Sequence, residues 1–124
     1  MSLSVVNLKE KFSAISDHWH PRLAAELNGQ HVRLIKLQGE FTWHTHEHED
    51  EMFFVVDGEL TMRLRPAQGG DRIVRAGEFI VIPRGTEHCP YAAHEVQVML
   101  FEPASTVNTG NADDARRRDA VPRV

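Results

Sequence analysis

Polar and apolar residues alternate along much of this chain, and a two-residue period predicts β-strands. Such alternation runs through residues 22–27 and 31–37, with Asn28-Gly29 between them. Asn-Gly between two alternating runs favours a two-residue hairpin turn, so these strands should pair with each other. Further alternating or apolar runs predict strands over residues 51–56, 59–65, 72–75, 79–82 and 95–101.

A helical spacing of apolar residues is found near the amino terminus, over residues 7–16. Asn7 can cap the helix, and Glu10 follows three residues later, as in a capping box. Leu8 and Phe12 then fall on one face of the helix. The spacing therefore predicts a short helix that packs on the outside of the domain.

The run over residues 51–56 is apolar on both of its faces. Asp57-Gly58 follows this run and predicts a second hairpin, in which it pairs with residues 59–65. The positions that should face outwards are apolar as well: Met52, Phe54 and Val56. A strand with one solvated face would not need them. We therefore expect this outer face to be covered, either by the N-terminal hairpin or by a second subunit.

Many short strands with frequent turns and one weak helix predict an all-β fold, either a sandwich or a barrel. A chain of 124 residues with 41% hydrophobic residues is sufficient for one compact domain. No domain boundary is evident before Pro103, so residues 1–103 are interpreted as that domain, including the helix and the first hairpin. Residues 104–124 are expected to form a C-terminal extension that is partly disordered.

Net charge, hydropathy and cysteine content limit the partners, the location and the thiol chemistry that the chain can have. The formal charge is -4 and the pI about 6.0, without a basic patch, so we expect no nucleic-acid partner. The sequence contains neither a secretory leader pattern nor an apolar stretch long enough to span a bilayer, which favours a cytoplasmic protein without a membrane partner. Cys89 is the single cysteine and is interpreted as a small buried side chain rather than a catalytic thiol.

Candidate chemistry is concentrated in one short segment that is rich in histidine and carboxylate residues. His44 and His46 are two residues apart, so in extended chain both imidazoles point to one side and can bind one ion. After an acidic turn the next strand begins at Glu51, and an antiparallel return would bring its carboxylate beside both imidazoles. A shifted register would make His48 a ligand instead, but the spacing to Glu51 favours an exposed turn position for it. Histidine clusters also occur on solvated surfaces; the strand-turn-strand context favours a metal site here.

A second segment supplies a further candidate ligand, His88. The apolar run over residues 79–82 ends at Pro83-Arg84-Gly85, where proline fixes one backbone angle and glycine permits a positive φ. A rigid turn of this kind orients the residues that follow it. Three imidazoles and one carboxylate suit iron, manganese, nickel, zinc or copper. The sequence therefore predicts a site for one divalent metal ion, formed by His44, His46, Glu51 and His88.

Together the two segments resemble the paired motifs of the cupin superfamily, in particular its small single-domain members. The first motif is matched, with four residues instead of five after its first glycine, by Gly39, His44, His46, Glu51 and Gly58. The second is matched by Gly77, Pro83, Gly85 and His88, whereas Ala92 stands where the family commonly has asparagine. Neither departure affects a predicted ligand, and the resemblance spans residues 39–92.

The resemblance implies a cupin-type jelly-roll β-barrel with the predicted ligands at its mouth, and a homodimer whose second subunit covers the apolar outer face. Four protein ligands leave one or two positions free on a five- or six-coordinate ion. One interpretation is a mononuclear metal enzyme, an oxygenase, isomerase or decarboxylase, acting on a small oxygenated organic molecule. It requires an acid-base residue near the ligands. The alternative is a non-catalytic protein that binds or senses a sugar-like or aromatic ligand in an apolar cavity, and a purely structural metal is a third possibility.

A few further residues are candidates for the surroundings of the metal. Glu87 has a titratable group close to His88 in sequence. Tyr91, Met99 and Phe101 could line the cavity, although apolar and aromatic residues more often fill the core.

Overall fold

The computed structural model describes residues 3–124, and within them it contains one α-helix and seven β-strands. In chain order these are α1 (Leu8–Ser13), β1 (Arg22–Leu27), β2 (Gln30–Glu40), β3 (Glu51–Asp57), β4 (Glu59–Leu64), β5 (Arg72–Arg75), β6 (Phe79–Ile82) and β7 (His88–Pro103). A short 3₁₀ turn, Pro66–Gln68, connects β4 to β5. The strands pair antiparallel, so the predicted all-β fold with a short N-terminal helix is confirmed.

The two local predictions near the amino terminus are confirmed. Asn7 caps α1, and its side-chain oxygen accepts a hydrogen bond from the Glu10 amide at 2.9 Å. β1 and β2 form the predicted hairpin, with Leu27 opposite Gln30. Asn28 and Gly29 both have positive φ angles, 52° and 76°, as a type I′ turn requires.

β7 is the central strand of the barrel. It begins at His88, well before the predicted start at residue 95, and runs to Pro103. On one edge it pairs with the full length of β2. On its other edge it pairs with β4 near its start and with β3 further along. Most of the sheet is therefore held together through β7.

The predicted hairpin at Asp57-Gly58 is wrong. Among the paired strands of residues 3–124, β3 is bonded to β6 and β7, and β4 to β5 and β7, but they are not bonded to each other. A type I′ turn needs positive φ at both central residues, and here Gly58 has φ 94° whereas Asp57 has no positive φ. The chain therefore bends at Gly58, and β4 continues along the same edge of β7.

Residues of β3 and β4 still share the predicted inward face, although not through a hairpin. The register against β7 shifts between Val55 and Asp57, which moves the alternation by one residue. Val55 and Leu60 are consequently both fully buried in the core. A side chain at Gly58 would place its Cβ only 3.1 Å from the Glu95 carbonyl oxygen, so the corner packs tightly on β7.

The outer sheet face is covered at one end by α1, rather than by the expected N-terminal hairpin, and the expected second subunit stays a prediction. Phe12 and Ile15 of α1 pack with Leu34, and Val56 and Met99 lie against this cluster. The helix thus covers one end of the outer face. At the other end, Phe79 is 61% exposed and Val81 50% exposed, and they pair with Phe54 and Met52. A large apolar area is left uncovered there within a single chain.

Residues 104–124 lie against the barrel, and we call residues 104–112 the strap. Arg33 donates hydrogen bonds to the Ala104 and Thr106 carbonyls of the strap. The Asn111 backbone amide donates a hydrogen bond to the Thr45 carbonyl, and the Thr45 amide donates one to the Asn111 side-chain oxygen. Beyond the strap, Arg123 forms an isolated bridge with Leu23 of β1. The domain limit at residue 103 and the partial disorder beyond it stay predictions.

No helix within residues 3–124 is long and apolar enough to cross a bilayer. The expected cytoplasmic location stays a prediction from the sequence.

Candidate metal centre

The structure brings the four predicted ligands together in one buried cluster. One donor atom from each of the four residues lies within 4.8 Å of the others. All are nearly inaccessible to solvent, with His88 at 0% and Glu51 and His46 at 4% relative exposure. His48 lies outside the cluster, in the turn, where its side chain is 85% exposed. The preference for Glu51 over His48 therefore agrees with the fold.

The segments that carry these residues meet in a different way from the predicted antiparallel return. The chain before β3 is extended without being a paired strand, and its single bridge joins His44 to His88. The backbone amide of each donates to the carbonyl of the other at 3.0 Å. Glu51 instead begins β3, opposite Ile82 of β6. Because β6 and β7 occupy both edges of β3, no edge is left for the segment of His44.

Backbone contacts orient two of the imidazoles. His44 Nδ1 and His88 Nδ1 each lie 2.8 Å from a carbonyl oxygen, of Thr42 and Thr86 respectively. A carbonyl can only accept, so both Nδ1 atoms carry the proton and both Nε2 lone pairs are free. Metal-binding histidines are usually oriented in this way. Gly85 of the Pro-x-Gly turn also donates its amide to the His46 carbonyl at 2.8 Å.

The electrostatics of the cluster favour the protonation states that a cation needs. Burial raises the pKa of Glu51, but the adjacent side chains of His46 and His88, whose Nε2 atoms lie 3.3 and 3.5 Å from Glu51 Oε1, hold it well below the usual range. Burial, followed by the nearby His88, lowers the pKa of His44 to about 4. Burial opposes protonation of His46 as well, yet the adjacent Glu51 carboxylate raises its pKa. Glu51 is thus a carboxylate and His44 a neutral imidazole near neutral pH.

The donor atoms fit a cation because they have no other partner of good geometry within residues 3–124. Buried polar atoms without a hydrogen bond include Glu51 Oε1, His88 Nε2 and both ring nitrogens of His46. Buried groups of this kind are nearly always paired. Three imidazoles and one carboxylate are suitable ligands for a first-row divalent ion. The cluster could therefore hold a metal ion.

Two buried charged residues beside the cluster were missed by the sequence analysis. Arg33 and Glu102 are each 2% exposed, and Arg33 Nη1 lies 3.6 Å from Glu102 Oε1. Burial, followed by the negative charge of adjacent Glu51, raises the pKa of Glu102 well above its usual range. The alternation of inward and outward positions along their strands could have identified both residues as buried. Glu102 continues the inward positions of Val98 and Leu100, and Arg33 precedes inward Ile35.

A small cavity adjoins the cluster on the core side. Its volume is about 30 Å³, which is enough for about one water molecule. Besides His44 and Glu51 its lining is mainly apolar and includes Trp19, Ile35, Leu37, Phe41, Phe53 and Leu100. The strap contributes Asn108 to the lining.

The other candidates for the surroundings of the metal lie elsewhere. Tyr91, Met99 and Phe101 do not line this cavity, because they face the outside of β7; Met99 packs against the cluster under α1. Glu87 forms an exposed ion pair with Arg65. Cys89 is fully buried, and burial followed by the charge of Glu40 raises the pKa of its thiol to about 11. It is therefore a protonated core residue, in agreement with the interpretation as a small buried side chain.

Comparisons with known proteins agree with this architecture. Residues 31–102 match the cupin domain family. The chain is 33% identical to the uncharacterised protein YdbB of Bacillus subtilis over 87 residues, 69% of each sequence. A crystal structure of a cupin-2 domain protein from Shewanella frigidimarina is 42% identical, with a TM-score of 0.76 over 80% of this chain and 94% of that one. A Neisseria meningitidis protein is 32% identical, with a TM-score of 0.73 over 82% of this chain and 100% of that one. The chain therefore belongs to the cupin domain family.

Proposed function

We propose that this cupin binds one divalent metal ion and is a mononuclear metal enzyme that acts on a small oxygenated organic molecule. The proposed ligands are His44, His46, Glu51 and His88. The observation that carries the proposal is that these buried donor atoms converge without protein partners, an arrangement that a bound cation would stabilise. The ion is one of iron, manganese, nickel, zinc or copper, since the donor set suits each of them.

The residues of the chain would hold the ion in a fixed and open site. When bound, a divalent ion supplies Lewis-acid activation of a substrate oxygen or of water. His44 and His88 are already oriented by their Nδ1 hydrogen bonds, and anionic Glu51 supplies the negative charge. Four protein donors leave one or two coordination positions for a substrate.

Glu102 is the reason to favour an enzyme. It is a buried carboxyl that retains its proton beside the charged ligand Glu51, and Arg33 pairs with it from β2. Strongly perturbed carboxyl groups next to a specific charge are typical of catalytic sites. Glu102 does not line the cavity, so we assign it the role of a positioning residue that acts through Glu51.

The second candidate is a non-catalytic protein that binds or senses a sugar-like or aromatic ligand. The mainly apolar lining of the cavity favours it. With a volume of about 30 Å³ the cavity is too small for either ligand. Both functions therefore require this cavity to enlarge when a small molecule binds in it.

Metal analysis tests the ligand set. We expect His46→Ala and His88→Ala to lose stoichiometric metal while their circular dichroism spectra stay native, because each removes one of four donors. His48→Ala is the matched control, since His48 is exposed and outside the cluster, and it should retain the metal. Untagged protein is required, so that no affinity tag binds metal. Full metal content in both ligand variants would refute the assignment.

Turnover separates the two candidate functions. The metal-loaded protein is assayed with small carboxylates and diketones, by oxygen uptake and by product analysis. For an enzyme, Glu102→Gln should lower kcat about 10- to 100-fold with the metal content unchanged, since Glu102 contacts Glu51 and not the ion. Saturable binding of a ligand without any product would favour the sensing protein instead.

We also propose that the protein is a homodimer in which a second copy covers the apolar area left open on the outer sheet face. Phe79 and Val81 are the most exposed members of this area. Met52 and Phe54 extend it on the neighbouring strand. Burial of such side chains contributes roughly 25 cal/mol per Å² of apolar surface.

A further inference from the structure

A second opening reaches the metal cluster at His46. This groove has a volume of about 300 Å³ and runs between the turn after His46 and the strap. We call it the acidic groove, and its lining residues are Thr45, His46, Glu47, Glu49, Ser105, Val107, Gly110 and Asn111. His46 is thus shared by the groove and the cluster.

The groove carries two carboxylates, Glu47 and Glu49, that form no ion pair with an arginine or lysine within residues 3–124. The cationic group nearest to Glu47 is His48, at 3.8 Å, and both side chains are mostly exposed. Glu49 accepts a hydrogen bond from the Ser105 hydroxyl at 3.0 Å. Neighbouring Asp50, in contrast, is paired with Arg84 through its side chain and its backbone amide.

His46 is a buried polar side chain without a partner at the inner end of the groove. Its side chain is 3% exposed, and neither ring nitrogen has a hydrogen bond of good geometry. The other two histidines of the cluster have their Nδ1 atoms bonded to backbone carbonyls. His46 is therefore the least constrained of the three imidazoles and the one that an ion in the groove would meet first.

The other approaches to the cluster are less suitable for a hydrated cation. The core-side cavity is small and mainly apolar. A groove of about 210 Å³ reaches Glu51 from the outside, but Met52, Val81 and Phe101 line it and its Asp50 is neutralised by Arg84. Of these three approaches within residues 3–124, the acidic groove is the one that combines a large volume with carboxylates free of ion pairs to arginine or lysine.

We propose that the acidic groove is the uptake route of the metal ion, in which Glu47 and Glu49 capture a hydrated divalent cation and His46 receives it. The proposal rests on the metal site proposed above. Carboxylates in a concave site raise the local cation concentration and with it the association rate, and salt screens this effect. The transfer is a ligand exchange, in which an imidazole nitrogen replaces a bound water without any redox change.

Metal-uptake kinetics test the route. Metal-free protein is mixed with Co²⁺ in a stopped-flow instrument, and the Co²⁺ absorption band reports coordination. We expect Glu47→Gln/Glu49→Gln to load about 10-fold more slowly than wild type at low ionic strength, with the difference shrinking at high salt. Affinity, measured by competition with a chelator, should fall by no more than the association rate does, since all four ligands are intact.

The matched control is Glu10→Gln/Glu59→Gln, which removes the same charge from exposed positions that line neither the groove nor the cluster. It should load within about 2-fold of wild type. Loading of the groove variant at the wild-type rate, or equal slowing in the control, would overturn the uptake route while the metal site stands. Absence of any Co²⁺ binding to wild type would overturn the metal site itself.

Discussion

Replacement of Arg33 by methionine removes a buried cation that contacts both Glu102, beside the candidate metal cluster, and the strap. The guanidinium lies 3.6 Å from Glu102 and donates to the Thr106 and Ala104 carbonyls at 2.7 and 3.0 Å. Methionine fills similar space without any donor. The variant therefore leaves two carbonyl oxygens and one carboxyl group without their partner in the interior.

Breaking a buried ion pair from one side costs about 3–5 kcal/mol. Each lost charged hydrogen bond accounts for roughly 1.5–3 kcal/mol of the same total. Glu102 already favours its neutral form, which limits the penalty of an unpaired charge. We therefore expect Arg33→Met to lower the free energy of unfolding by about 3 kcal/mol.

Urea unfolding of the metal-free protein, followed by tryptophan fluorescence, measures this loss. Arg117→Met is the control, because Arg117 forms an exposed ion pair with Asp119, and its loss should be under about 1 kcal/mol. Adding Glu102→Leu to Arg33→Met should recover part of the loss, since an apolar pair avoids the unpaired carboxyl. A loss for Arg33→Met no larger than that for the control would refute the reasoning.

Three further predictions concern pH, the strap and assembly. The pKa of His44 is lowered to about 4 in the folded protein, so its contribution, roughly 3 kcal/mol, is present above pH 6.5 and lost as the pH falls towards 4. The free energy of unfolding of the metal-free wild type, measured with urea, should therefore fall more steeply with decreasing pH than that of His44→Gln. Parallel pH profiles of the two proteins would contradict this. Gly110→Ala should destabilise the protein by about 1–2 kcal/mol, since φ is 55° and the new Cβ would lie 2.5 Å from the Thr45 carbonyl oxygen. Gly70 also has a positive φ but faces open space, so Gly70→Ala should lower the free energy of unfolding less in the same assay. Phe79→Glu should convert a dimer into a monomer by light scattering, whereas Val5→Glu, at a 98% exposed position in the N-terminal segment, should not. A monomeric wild type at micromolar concentration would exclude the dimer.

Local signals in the sequence were sufficient for the helix, the first hairpin and the four clustered residues. Asn28-Gly29 forms its hairpin because both residues adopt positive φ, while Asp57-Gly58 looks alike in sequence but only its glycine does. The difference comes from β7, which pairs with both β3 and β4 and keeps them in line. Pairing between residues so distant along the chain leaves no local trace.

The surroundings of the metal cluster show the same limit. His44, His46 and Glu51 could be identified by their short spacing, whereas Arg33 and Glu102 become neighbours only when β2 pairs with β7. Both continue the inward positions of their strands, but this pattern gives no reason to expect that they contact each other. The contacts of the strap have no signal in the sequence, because each depends on a single pair of residues, such as Asn111 with Thr45, in a segment of polar composition.

The position of β7 at the end of the barrel sequence bears on how the protein folds during synthesis. Every donor of the cluster lies within residues 44–88, so all four leave the ribosome before β7 is complete. Until then β2, β3 and β4 lack their shared partner, and their apolar faces are open to aggregation. Long-range pairing of this kind also slows folding. We therefore expect the metal binding proposed for this cluster to occur late, after Pro103 has emerged and the barrel has formed.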